Sequence, residues 1–325
     1  MEAWICDSPI GTNALRWDSL PTPVPGPGQL LVRVSAASLN FPDILIVEGK
    51  YQFKPTPPFV PGSELAGIVT TIGRGADGFA VGDRVAATST TGGFATHASV
   101  EASQSWKIPT AMPFHDAAAL TLTYGTAHHA LLDRAALQPG ETVLILGAAG
   151  GVGTAAIQIA KAVGARVIAA VSSDEKAAFC RSLGADAAIN YGSGNLRDTI
   201  KALTNGLGPD VIYDPVGGAL AEPAFRSIGW RGRYLVIGFA SGTIPSLPFN
   251  LALLKGASIT GVFWGDFARR EPAAHAKAMD QLADWYLKGQ IKPWLDEVLP
   301  MSRLPEAYAR MAARLTNGKT VLTNP

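Results

Sequence analysis

Along the first third of the chain, apolar positions come in short runs cut by turn residues. Leu30-Leu31-Val32-Arg33-Val34 and Gly67-Ile68-Val69 are two such runs, and Pro21-Thr22-Pro23-Val24-Pro25-Gly26-Pro27-Gly28 is the densest punctuation. Short β runs between turn signals predict a compact, irregular β region from residue 1 to about 117. The pattern changes near 118, where strand-sized apolar runs alternate with helical stretches. Strands are predicted at Glu141-Thr142-Val143-Leu144-Ile145-Leu146, Val167-Ile168-Ala169-Ala170-Val171, Ala187-Ala188-Ile189, Val211-Ile212-Tyr213 and Tyr234-Leu235-Val236-Ile237, with helices from about Gly151 to Val163 and from about Asp174. Continuous apolar strands between helices mark a parallel sheet covered on both faces. Right-handed crossovers make such a sheet doubly wound. From about 266 the chain reads as a long helical segment, a Pro-bounded extended piece, another helix and the short strand Thr320-Val321-Leu322. The pattern does not say where this tail packs.

The chain has 325 residues, which favours two domains over one core. Its hydrophobic share of 47 % is ample for sizeable cores. A formal net charge of +1 gives no reason to expect nucleic acid or an anionic membrane as partner. The longest apolar stretches are strand-sized, so no membrane span is expected. Cys6 and Cys180 are the two cysteines. They form no framework and no metal clip, and Met1-Glu2-Ala3-Trp4 does not open a signal peptide, so a cytoplasmic setting is expected.

The sharpest motif is Gly147-Ala148-Ala149-Gly150-Gly151-Val152-Gly153, between a predicted strand and a predicted helix. Glycines there allow a tight turn and close backbone approach to a pyrophosphate, which the helix N-terminus attracts. The spacing is G-x-x-G-x-x-G, a variant of the usual dinucleotide loop. An NAD site carries a carboxylate at the end of the second strand for the ribose 2′-OH. Val171 stands there instead, followed by Ser172, Ser173 and Lys176, which could hold a 2′-phosphate. The expected cofactor is therefore NADPH. Ser172 with Glu175 also reads as a helix capping box.

These residues, with others in order along the chain, carry a family resemblance. Asn40-Phe41-Pro42-Asp43, Gly49-Lys50-Tyr51, Pro61-Gly62-Ser63-Glu64, Gly82-Asp83-Arg84-Val85, Tyr124-Gly125-Thr126-Ala127, the glycine loop, Gly184-Ala185-Asp186 with Asn190-Tyr191, and Asp214-Pro215-Val216-Gly217-Gly218 together resemble the zinc-independent, zeta-crystallin-like quinone oxidoreductase branch of the medium-chain dehydrogenases. The resemblance implies an α/β fold in which a doubly wound parallel Rossmann sheet, residues 118–265, is inserted into a GroES-like β-rich catalytic domain, residues 1–117 plus 266–325. It implies NADPH contacts at Thr126 near the nicotinamide, at Gly150, Gly151, Val152 and Gly153 on the pyrophosphate, and at Ser172, Ser173, Lys176 and Tyr191 around the 2′-phosphate. Phe239 and Ser241 would lie along the cofactor, and Phe263 and Gly265 near the nicotinamide. Arg314, or else Lys319, would reach back to it. It also implies a homodimer joined through the edge that ends at Phe263 and Trp264.

Zinc relatives carry a Cys where this chain has Asn40 and a His where it has Ser63, and their four-Cys structural loop is absent. Glu64 alone cannot hold zinc. His128 and His129 are adjacent and so point about 100° apart on a helix. The expected reaction is hydride transfer from NADPH to a quinone or a small α,β-unsaturated carbonyl, whose π-system spreads the developing charge. Asn40, Asp43 and Tyr51 are the catalytic candidates: Asn40 as a donor to a carbonyl oxygen, Tyr51 as a donor of a hydrogen bond or proton. Asn40 could instead brace a loop, and Asp43 cap a helix. Leu45 and Val47 stand where some quinone reductases have Tyr and Arg, which suggests a more apolar pocket. Two other readings fit the same residues. One is an enoyl-thioester reductase, with Arg269-Arg270 as a basic pair for CoA phosphates. The other is an NADPH-binding protein without turnover.

Overall fold

The structure, a computed structural model, describes residues 1–325 and divides into two units. One holds Met1–Leu122, Phe267–Leu287 and Pro293–Pro325; the other holds Thr123–Asp266 and Lys288–Lys292. The stretch from 266 onward is thus not assigned whole to the first unit, since Lys288–Lys292 goes with the second. There the Gln158 side chain bonds to both the N–H and the carbonyl of Lys292.

The first unit is built around the ten-residue strand Gln29–Ser38. Its inward residues Leu30, Val32 and Val34 pack with Leu65, Val85, Phe94, Leu304 and Leu322 in one core. Glu64–Ile72 pairs antiparallel along one side, with Ala37 opposite Leu65. On the other side His97–Glu101 pairs with the first half of the strand, and Lys319–Thr323 with its end, Val321 opposite Ser38. The sheet continues to Arg84–Thr88 and Ser105–Lys107 at one edge and to Leu295–Pro300 at the other. The C-terminal tail therefore packs as a strand beside the N-terminal sheet.

The second unit is a six-stranded, all-parallel sheet in the order Ala187–Asn190, Arg166–Val171, Thr142–Leu146, Val211–Asp214, Arg233–Val236, Ser258–Gly261. Val143, Leu144, Ile145 and Leu146 are fully buried, as a central strand with both faces covered must be. The winding reverses between Thr142–Leu146 and Val211–Asp214. Loops at that switch point, beyond the carboxyl ends of the strands, are where such sheets bind ligands. No helix is long and apolar enough to cross a membrane.

Candidate active site

In the second unit, Thr142–Leu146 runs through residues 147–150 into the helix Gly151–Ala162. Gly147, Gly150 and Gly153 do different work in the loop. Gly147 has φ +60°, and a Cβ there would meet Val216 Cγ2 at 2.7 Å. A Cβ on Gly153 would lie 2.6 Å from both Ala148 Cα and the Gly147 carbonyl oxygen, so this glycine lets the helix close onto its own loop. At Gly150, the helix N-cap, a Cβ would meet only the Gly147 oxygen at 3.4 Å, an ordinary contact. The fold needs glycine at 147 and 153; at 150 the open space suits a ligand. The first-turn N–H groups of Gly151, Val152 and Gly153 have no partner within the helix and offer an anion seat.

Ser172, Ser173, Lys176 and Tyr191 gather where two neighbouring strands end. Asn190 stands opposite Val171, and the Tyr191 N–H donates to the Val171 carbonyl at 2.9 Å. Val171, at the strand end, is buried, and Asp174 and Glu175 stand in the first turn of the helix that follows. The predicted capping box of Ser172 and Glu175 does not form. Ser173 has the extended backbone of an N-cap, and its hydroxyl accepts from the Lys176 N–H at 3.2 Å. The cap falls one residue later, which leaves Ser172 exposed. Asp174 accepts from the Asn190 amide at 3.1 Å.

Phe239 and Ser241 lie on a loop locked to the switch point. The Ala240 and Ser241 N–H groups donate to the Pro215 and Val216 carbonyls at 3.0 and 2.9 Å. Asp214 anchors both: one oxygen accepts from the Val216 and Gly217 N–H groups at 2.8 Å, and the other takes the Tyr234 hydroxyl. This anchor lies outside the site residues expected from the sequence. An Asp before Pro-x-Gly is the signal of a side chain that bonds its own turn. Thr126 is buried on the helix Phe114–His128. The Trp264 ring lies where a Cβ on Gly125 would come within 2.8 Å, so Phe263 and Gly265 flank a residue packed beside Thr126. Arg314 belongs to the first unit, just beyond the helix Leu304–Ala312.

In the first unit, three adjacent strands bring Asn40, Glu64 and Lys319 together. Ser38 ends the central strand, Glu64 opens its neighbour, and Lys319 opens the tail strand on the other side. Glu64 is fully buried and fully used. Its Oε2 accepts from Ser38 Oγ at 2.6 Å, Asn40 Nδ2 at 3.0 Å and Lys319 Nζ at 3.3 Å, and its Oε1 accepts from the Leu122 N–H at 2.7 Å. Lys319 Nζ also donates to the Leu39 carbonyl at 3.0 Å and to Asn40 Oδ1 at 2.6 Å. With 3 % exposure and these three acceptors, Lys319 is committed inside the first unit, which corrects the expectation that it reaches toward cofactor. Gly318 sets this up: its φ is +75°, and a Cβ would strike the Trp294 carbonyl oxygen at 2.4 Å.

Asn40 is also spent internally. Its amide donates to Glu64 and to the Ser38 carbonyl at 3.3 Å, its oxygen accepts from Lys319, and its backbone N–H donates to Asp43 Oδ2 at 2.8 Å. Asp43 thus caps the helix Phe41–Val47. Burial pushes its carboxyl up to about 7 against the opposing pulls of the Asn40 N–H, the nearby Ser63 hydroxyl and the Lys319 ammonium, while the Glu64 charge adds to the rise. Two phenols feel its charge: Tyr51, raised mainly by burial, and Tyr308, raised well above the ordinary tyrosine value by burial. Tyr51 is carried back toward this helix because the Lys50 and Tyr51 N–H groups both donate to the Leu45 carbonyl, at 2.8 and 3.1 Å.

Comparisons with known proteins agree with this architecture. Residues 26–110 match the family described as alcohol dehydrogenase GroES-like domain, and residues 151–283 match zinc-binding dehydrogenase. A quinone oxidoreductase-like protein 2 homolog of Nematostella vectensis is 38 % identical over 96 % of this chain and 86 % of its own length. Human quinone oxidoreductase is 32 % identical over 88 % of this chain and 86 % of its own. The structure of mycobacterial Rv1454c complexed with NADPH superposes with a TM-score of 0.93 at 30 % identity, each chain covered in full. The Escherichia coli quinone oxidoreductase complexed with NADPH gives 0.92 at 27 % identity, again covering both chains in full. The chain belongs to the quinone oxidoreductase-like family of medium-chain dehydrogenases.

One matched family is described as zinc-binding. No group of three or more His, Cys, Asp or Glu stands close enough to hold a metal ion. Around Glu64 the neighbours are a carboxamide, hydroxyls and the Lys319 ammonium. A zinc ion needs three or four N, S or O donors, and a buried ammonium on the Glu64 carboxylate repels it. These residues do not fit zinc.

Proposed function

We propose that this chain reduces a quinone or a small α,β-unsaturated carbonyl with NADPH and without zinc. The observation that carries the reading is the buried carboxyl of Asp43, poised to titrate near neutrality in a unit that has no metal set, on a chain that also builds a dinucleotide loop. NADPH, when bound, supplies the hydride. Gly150, Gly151, Val152 and Gly153 seat its pyrophosphate, and Ser172, Ser173, Lys176 and Tyr191 surround the 2′-phosphate. Thr126, Phe239, Ser241, Phe263, Gly265 and Arg314 complete the cofactor contacts. Asp43 and Tyr51 manage the proton that the reduced acceptor needs: Tyr51 gives it from its neutral phenol, and protonated Asp43 restores it and is recharged from solvent. Asn40 acts from within the protein, holding Asp43 through its backbone N–H rather than donating to substrate.

The test is NADPH and NADH oxidation, followed by absorbance, against a quinone, an enone and crotonyl-CoA, with and without a chelator. Turnover of quinone or enone with NADPH, unchanged by the chelator, is expected. Turnover of crotonyl-CoA alone would assign an enoyl-thioester reductase with Arg269 and Arg270 at the CoA phosphates; binding without turnover would leave a cofactor-binding protein. Lys176→Ala should weaken NADPH about tenfold and leave NADH unchanged, because only NADPH carries the 2′-phosphate that a charged hydrogen bond would hold. Equal losses for both cofactors in titration calorimetry would remove Lys176 from that role.

A homodimer is part of the proposal. Ser258–Gly261 is an edge strand paired on one side only, and Leu253, Leu254, Phe249 and Trp230 in the same unit are exposed. An open apolar edge is a template for pairing, and a second copy would cover it. Sedimentation should give twice the chain mass, and Leu253→Asp should return a monomer. A wild-type monomer at micromolar concentration would end the idea. Cys6 and Cys180 are free and buried, with thiols pushed up by burial, Cys180 to about 12, which suits the cytoplasmic setting proposed.

A further inference from the structure

We propose that Lys319 is a positioning residue: its ammonium locks the Asn40 carboxamide and, balanced by Glu64, sets the charge that Asp43 carries. The role of this charge in turnover rests on the proposed function; the charge itself does not.

The geometry is over-determined. Lys319 has three N–H bonds to give, and the structure supplies three acceptors, the Leu39 carbonyl, Asn40 Oδ1 and Glu64 Oε2. An ammonium is donor-only, so it forces the Asn40 amide to present oxygen to Lys319 and nitrogen to Glu64. The opposite flip would place an NH2 against the ammonium. Asn40 is also the N-cap of the helix Phe41–Val47, and its backbone N–H donates to Asp43 Oδ2, so one residue touches both Lys319 and Asp43. The other oxygen of Asp43, the Ser63 hydroxyl and the Tyr308 hydroxyl are all buried without a well-formed hydrogen bond. Polar atoms left so in a dry interior are costly unless a water or a transferable proton serves them.

The charged and titratable groups facing Asp43 come from four directions. Lys319 comes from the tail strand, Glu64 from the neighbouring strand, Tyr51 from the turn after the helix Phe41–Val47, and Tyr308 from the helix Leu304–Ala312. Lys319 favours the carboxylate and Glu64 opposes it. Removing either should therefore move the titration of Asp43, and in opposite directions.

The experiment uses the full-length protein labelled with ¹³C at aspartate side chains, with the Asp43 signal assigned by its loss in Asp43→Asn. Its titration is followed by NMR and compared with the pH profile of kcat/KM. Glu64→Gln keeps the shape and an acceptor for Lys319, and should lower the midpoint by about one pH unit. Lys319→Met should raise it by at least as much. Lys319→Met strands the Glu64 carboxylate and Glu64→Gln strands the Lys319 ammonium, so each is read only where circular dichroism shows a folded protein, and the double variant Glu64→Gln/Lys319→Met, which removes both charges and should place the midpoint between those of the two single variants, keeps the inference testable. A midpoint unmoved in Glu64→Gln, or moved upward, overturns the inference. Opposite shifts in the NMR titration that also appear in kcat/KM support it fully. Opposite NMR shifts with an unmoved rate profile support the electrostatic role and count instead against Asp43 as the proton group of the reaction.

Discussion

Asp43→Asn should lower kcat/KM for the quinone or enone by about 10²- to 10³-fold, the usual range for loss of a proton-transfer group. In the wild type the rate should change across a midpoint near 7, where burial has placed this carboxyl; in the variant that limb should disappear. The same substitution makes a second prediction with the opposite sign, on stability. The folded carboxyl titrates near 7 and the unfolded one near its ordinary 3.8, so the folded state binds the proton more tightly. The stability that Asp43 contributes is complete below about pH 4 and is lost as pH rises through 7. Asp43→Asn carries no charge to bury, so above pH 8 it should be the more stable protein, by at most about 4 kcal/mol from that gap. Below pH 4 the two proteins should unfold alike. Urea unfolding at pH 4 and pH 8 checks this. Equal stability at both, or a variant that is weaker at pH 8, would mean that Asp43 is already ionised at neutrality.

Gly153→Ala and Gly150→Ala should separate what the glycine loop does for the fold from what it does for the cofactor. At Gly153 a methyl group gains about 1 kcal/mol from helix propensity. It also meets backbone at 2.6 Å on two sides, which nothing nearby can relieve by a rotamer change. Overpacking of that kind costs about 1–3 kcal/mol or more, so the net effect is a loss of stability together with at least a tenfold loss of NADPH affinity. At Gly150 the backbone, φ −79° and ψ 172°, is open to any residue, and the nearest atom is 3.4 Å away. Stability there should change by less than about 1 kcal/mol. The NADPH dissociation constant should still rise about tenfold, because the methyl would stand at the pyrophosphate seat proposed for this loop. Calorimetric melting and fluorescence titration of each variant give the two quantities. NADPH binding to Gly150→Ala at wild-type strength would place the pyrophosphate elsewhere.

Much of the second unit was legible from residue order alone. Its strands are buried on both faces, so they are continuous apolar runs, and the loop Gly147 to Gly153 sits between one of them and a helix with a recognisable spacing. Even there, the cap at Ser173 rather than Ser172 turned on a single residue's backbone angle, which composition does not reveal. The anchoring by Asp214 was written in an Asp-Pro-x-Gly turn and went unread.

Local physics alone wrote into the residue order the alternation of strand and helix, the glycine-rich turn between a strand and a helix, and the apolar Val171 at the end of the second strand. The first unit's buried cluster depends instead on contacts between distant parts of the chain. Lys319 lies 255 residues from Glu64 and 279 from Asn40. In the residue order Lys319 is only an alternative to Arg314 as a cofactor contact, and Asn40 a donor to substrate or a loop brace. Their roles exist only because the tail strand pairs with Gln29–Ser38 and removes all three side chains from water. Once water is gone, each donor and acceptor must find its partner inside, and a carboxyl such as Asp43 takes its charge from the company that folding gives it.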